Sequence, residues 1–141
     1  MSKLALNDVN IYYGDFHAVQ NVNMQIPAQA VTAFIGPSGC GKSTVLRTIN
    51  RMHEVIPNAS VKGEILLDGQ PDDSGDRRAF LKQFGMLFQG GALFDSLSVW
   101  QNVAFRLRHA RSPMPRKEAR DLAIEKLRRV GLGPETADLF P

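Results

Sequence analysis

The stretch FIGPSGCGKSTVLRT, residues 34 to 48, constrains the fold of this 141-residue chain more than any other. Gly36, Gly41, Lys42 and Ser43 satisfy the spacing G-x-x-x-x-G-K-[ST] of a phosphate-binding loop. Glycines without a Cβ let consecutive amides turn inward around phosphate oxygens, and the helix that follows adds its positive end. Lys42 is placed to reach β- and γ-phosphates as a mobile charge, the Ser43 hydroxyl to ligate Mg²⁺, and Thr44 with its neighbouring amides to hold the α-phosphate side. Such a loop needs a strand in front and a helix behind. AVTAFI, residues 30 to 35, is almost continuously apolar and predicts a strand buried on both faces. From Gly41 the period turns helical, with Val45, Leu46, Ile49 and Met52 on one side, until IPN at 56 to 58 breaks it.

Around this centre the pattern changes character. Leu4, Leu6, Val9, Ile11 and Tyr13 roughly alternate with polar residues, and so do Ala18, Val22, Met24 and Ile26 after the turn-prone YGDF. Two paired, half-exposed antiparallel strands are expected. GEILLDG at 63 to 69 predicts a strand ending in an Asp-Gly turn. Beyond the polar QPDDSGD come a short helix around Arg77 to Lys82 and a small strand, GMLF, at 85 to 88. Ser98 and Gln101 have capping-box spacing, so a helix starts at Val99, with Val99, Trp100, Val103, Ala104 and Leu107 on its apolar face. After RSPMP, Pro115 opens another helix that buries Ala119, Leu122, Ala123, Leu127 and Val130 and stops at Gly131.

Composition removes several function classes. Seventeen basic against fourteen acidic residues leave a net charge of +3, a mild excess that reads as solvated helix faces and argues against a nucleic-acid partner. The single Cys40 excludes an internal disulfide and a cysteine-built zinc site, which fits a reducing compartment. It lies inside the loop near a helix start and Lys42, and reads either as a small residue in a variable slot or as a regulatory thiol. No apolar run approaches the roughly 20 residues of a membrane span, and MSKLALNDVN lacks a signal-peptide core, so a soluble, cytoplasmic chain is expected.

GPSGxGKST also resembles guanylate kinases, but those begin with the loop strand. Here two strands and YYG come first, a layout that resembles the ATP-binding subunits of ABC transporters. The resemblance implies an α/β, P-loop NTPase fold, as a partial ABC ATPase domain. It comprises an antiparallel β subdomain with the phosphate-loop core over residues 1–96, and the start of the helical subdomain over 97–141. It implies that Gly36, Pro37, Ser38, Gly39, Cys40, Gly41, Lys42, Ser43 and Thr44 bind the phosphates of ATP, and that Tyr13, with Tyr12 as fallback, stacks on adenine. Gln89 of GMLFQGG matches the family glutamine that senses the γ-phosphate, Mg²⁺ or attacking water, so Ser43 and Gln89 are the implied metal contacts. Implied partners are transmembrane permease subunits, met by the surface after Gln89, and a second ATPase subunit. The location is then the inner face of the cell membrane.

Residues 4 to 69 resemble the phosphate-import ATPases, whereas residues 84 to 141 look more like Mla-type phospholipid-transport ATPases. A recombined or assembled chain joined near GQPDDSGD is one reading of that change. Phosphate import is the expected function, with lipid transport or a nucleotide-binding module without hydrolysis as alternatives. The family's LSGGQ-type signature, Asp-Glu strand and switch histidine are not found in the sequence. Asp68 is followed by Gly69 and Asp95 by Ser96, and His17, His53 and His109 occupy no switch-like position. ATP binding without efficient hydrolysis, and poor stability of this stretch alone, are therefore expected.

Overall fold

A computed structural model describes residues 2–71 and 75–141. Strands β1 (Ser2–Tyr13) and β2 (Phe16–Pro27) form a hairpin, and β3 (Ala59–Leu67) pairs with the other edge of β1 and with the short β4 (Gln70–Pro71). All neighbours are antiparallel, in the order β2-β1-β3-β4. The central position of β1 explains why Leu6, Val9 and Ile11 are fully buried: it has a partner on both sides and a helix over it. That helix, α1 (Lys42–Ile49), contributes Val45 and Ile49 to the same core, with Val19, Ile65 and Leu67.

β1 and β3 slip register between Asn7 and Asn10, a bulge opposite Gly63. Asp8 takes φ 49° there, and Gly63 takes φ 96°. A Cβ on Gly63 would lie 2.3 Å from the Asp8 carbonyl oxygen, so only glycine fits. Behind the bulge, Asn10 is buried and fully engaged. Its Nδ2 donates to the Asp8 carbonyl at 2.8 Å, and its Oδ1 accepts from the Asn21 amide at 3.0 Å and from His17 Nε2 at 2.9 Å. A 3-10 turn, Met52–Val55, follows α1, and α2 (Arg77–Leu81) starts on Asp76, whose carboxylate accepts from the Arg78 amide. Glu54 ties the two together, with one oxygen taking Arg51 and the other Arg77 Nε at 2.7 Å.

The chain divides into two compact units, Met1–Gly85 and Met86–Pro141. The second contains α3 (Val99–Val103), α4 (Phe105–Arg108), α5 (Arg116–Arg129) and a 3-10 turn, Pro134–Asp138. Ser98 and Gln101 form the expected capping box, with the Ser98 amide donating to Gln101 Oε1 at 2.8 Å. Trp100 is the centre of this unit, packed with Ala104, Ala119, Ala123, Leu127 and Ala137. The guanidinium of Arg116 lies 5.4 Å from the centroid of the Trp100 ring.

Several expectations are corrected. AVTAFI is not a strand: it pairs with no strand among the described residues, and Val31 and Ile35 are 99% and 94% exposed. An apolar run becomes a buried strand only when other strands flank it, and none of the described ones does. GMLF is likewise unpaired, for the same reason. Leu46 is exposed because Val45, Thr48 and Ile49 fill the narrow buried stripe of a two-turn helix, and Met52 falls beyond its end. Val130 is the C-cap of α5 and points to solvent, and the helix expected from Val99 to Leu107 is broken at Ala104. Part of the polar join QPDDSGD, residues 72–74, lies outside the described residues.

Candidate phosphate-binding site

The loop 36–41 and the start of α1 form one wall of a cleft of about 400 Å³. Ser38, Gly39, Gly41, Lys42, Ser43 and Thr44 line that wall, and Tyr13, Phe16 and Ala18 of the hairpin line the other. Gly41 is the N-cap of α1 with φ 97°, and a Cβ there would meet Val19 Cγ2 at 2.8 Å. The glycine thus lets the loop turn while it lies against the sheet. Its consequence is chemical: the first amides of α1, on Lys42, Ser43 and Thr44, have no intrahelical acceptor, no side chain caps them, and no acidic residue sits in the first turn. These N–H groups and the helix dipole make that end favourable for an anion.

Lys42 Nζ folds back over the loop, donating to the Gly36 carbonyl at 2.7 Å and the Pro37 carbonyl at 2.6 Å, and it lies 3.4 Å from Cys40 Sγ. The ammonium therefore ties the loop to the start of the helix, held by neutral carbonyls rather than by a carboxylate. A phosphate oxygen carrying charge makes a stronger partner than either carbonyl. Among the described residues, no side-chain hydrogen bond engages the hydroxyls of Ser38, Ser43 or Thr44. Those oxygens remain available to a ligand, and a hydroxyl suits the oxygen-only preference of Mg²⁺. Cys40 is exposed and unpaired with any other cysteine.

The hairpin decides between the two tyrosines. Cross-strand partners Tyr12 and His17 share one face, and Tyr13 and Phe16 share the other. Tyr12 is occupied: its ring stacks on His17 with centroids 4.2 Å apart, and the Lys62 ammonium lies 5.2 Å from its centroid. Tyr13 lines the cleft. Sequence reasoning did not single out Phe16 and Ala18. The signal available was the two-residue Gly14-Asp15 turn, which puts positions 13 and 16 directly opposite each other. Gln89 belongs to the second unit and is exposed in a turn at Gln89–Gly90.

A family model described as ABC transporter matches residues 19–139, most of the chain. The chain belongs to the ABC transporter ATPase family. The phosphate import ATP-binding protein PstB of Corynebacterium efficiens is 56% identical over 140 residues, covering 98% of this chain and 54% of that protein. PstB of Bifidobacterium longum is 46% identical over 138 residues, covering 96% and 53%. Among solved structures, the dimeric ATP-binding cassette MJ0796, bound to ADP and Pi, matches with TM-score 0.77 and 28% identity over 98% of this chain and 61% of that one. The chain spans about half the length of the curated relatives it matches.

These likenesses identify the architecture as part of an ABC ATPase domain, a P-loop NTPase fold. They also run through both parts of the chain, so the expected shift to an Mla-type ATPase beyond residue 84 finds no support in them. No helix among the described residues is long and apolar enough to cross a membrane.

Proposed function

We propose that this chain is the ATP-gripping part of an ABC ATPase subunit that drives import of inorganic phosphate. The observation that carries the proposal is the cleft between Tyr13 and the start of α1, where free amides, uncommitted hydroxyls and the Lys42 ammonium converge. Gly36 to Thr44 wrap the phosphates, Lys42 exchanges its loop carbonyls for β- and γ-phosphate oxygens, and Tyr13 stacks on the adenine face. Ser43 would hold Mg²⁺, and the ion would supply charge neutralisation at the phosphates. Gln89 orients the attacking water and passes the nucleotide state to a transmembrane permease through the surface that follows it. Phosphate as cargo is supported by the PstB relatives and pairing with a second ATPase subunit by the dimeric cassette, and a peripheral position on the inner membrane face would follow from docking on a permease.

The test is Lys42→Ala, read by titration with a fluorescent ATP analogue. Loss of one charge-assisted anchor with two short partners predicts affinity at least about 100-fold weaker, near 3 kcal/mol. Unchanged affinity would sink the assignment. Phosphate uptake by cells that depend on the full-length subunit tests the cargo: growth on limiting phosphate should fail with Lys42→Ala.

A further inference from the structure

Phe16 is a large apolar ring left 69% exposed at the tip of a hairpin whose other apolar positions are covered. It makes no ring contact and takes part in no cation-π pair among the described residues. Its neighbours have reasons for their positions: Tyr12 and His17 close on each other across the sheet, and Ala18 and Val19 pack towards α1. Phe16 stands opposite Tyr13 across the Gly14-Asp15 turn, on the face that lines the cleft. The hairpin tip thus presents two unstacked aromatic rings on one side and a closed aromatic pair on the other. The closed pair is anchored: His17 Nε2 meets Asn10 Oδ1 at 2.9 Å, and because that oxygen also accepts from the Asn21 amide, Nε2 is the donor. The tip is therefore held from its far face while the Tyr13–Phe16 face stays open.

We propose that Phe16 is a second base-contacting ring, which with Tyr13 makes a two-ring aromatic wall for the nucleobase of the bound nucleotide. This inference rests on the cleft being the nucleotide site. The wall that meets the base, Tyr13, Phe16 and Ala18, contributes two aromatic rings and a methyl group. Its grip on a base is dispersive and quadrupolar, and it adds to the phosphate grip instead of replacing it.

The experiment compares ATP with inorganic tripolyphosphate, which has the phosphates and no base, on the full-length subunit. Phe16→Ala should weaken ATP binding about 5- to 10-fold, within the range for loss of one stacking ring, and leave tripolyphosphate affinity unchanged. Phe16→Tyr, which keeps the ring, should bind ATP within about twofold of the parent. Because Phe16 is mostly exposed, neither change removes core. Equal weakening of both ligands in Phe16→Ala would overturn the proposal, since the residue would then act on the loop and not on the base. Unchanged ATP affinity would overturn it as well. Failure of the nucleotide-site reading looks different: Lys42→Ala would then leave both ligands bound as in the parent.

Discussion

Two segments of this chain carry the apolar patterning of strands, and the molecule treats them in opposite ways. In β1, Leu6, Val9 and Ile11 sit between β2 and β3 beneath α1 and are sealed from water. In residues 30–35, a run at least as apolar stays outside the sheet, and its Val31 and Ile35 side chains stand in solvent. Chain chemistry is similar in the two; what differs is the company each keeps. An alternating sequence becomes a buried strand when neighbours satisfy its amides and cover its face, and β1 receives both, from β2 next to it in sequence and from the distant β3 and α1. The segment before the loop receives no strand partner from the described residues and only Phe34 of it packs against the core, although the loop and helix after it form as expected.

The largest test of this contrast is a pair of truncations. Ile11→Ala should cost about 2 to 5 kcal/mol in urea unfolding, as loss of a fully buried side chain does, whereas Val31→Ala should change stability by less than about 0.5 kcal/mol. Similar losses at the two positions would break the comparison. A second pair concerns the backbone. Gly63→Ala drives a Cβ into the Asp8 carbonyl at a φ that disfavours side chains and should cost about 3 kcal/mol. Gly36→Ala meets only the movable Cys40 Sγ, at 3.0 Å, and should cost less than about 1 kcal/mol in unfolding. Thermal melts of the two variants decide whether the sheet is the rigid region and the loop the accommodating one.

The smallest effect belongs to the polar tie beside the core. Burial alone would push the Glu54 carboxyl up, but the hydrogen bonds and charges of Arg77 and Arg51 outweigh it and hold the group below its ordinary range. A folded-state pKa below the unfolded one makes the contribution complete above the unfolded value and lost as pH falls through the folded one. Glu54→Gln should therefore cost about 1 kcal/mol or less near neutrality, because the three side chains are part-exposed. The gap between the two proteins should close as the pH is lowered through the acid range. A gap that widened on acidification would contradict the sign.

Much of the site was legible because its determinants are local. The GPSGCGKST spacing named the loop, the change of period at Gly41 placed α1, and Ser98 with Gln101 marked the start of α3. Each depends on residues within a few positions of one another. Phe16 was not legible, since exposure and cleft lining are properties of a face, and the face was known only after the Tyr13–Phe16 register was fixed. The burial of residues 30–35 was misjudged for a related reason: hydrophobicity states a preference, and its satisfaction depends on partners that the local sequence does not contain.

By itself, then, the sequence determined a phosphate loop, the helix behind it, the hairpin ahead of it and the family to which they belong. Tertiary structure alone decided which tyrosine faces the cleft, that an exposed phenylalanine stands opposite it, and that the run before the loop pairs with no strand among the described residues. The division has one physical cause. Turns, caps and helical periods are set by torsions and hydrogen bonds between residues close along the chain, whereas facing and burial are set by contacts between residues far apart in it.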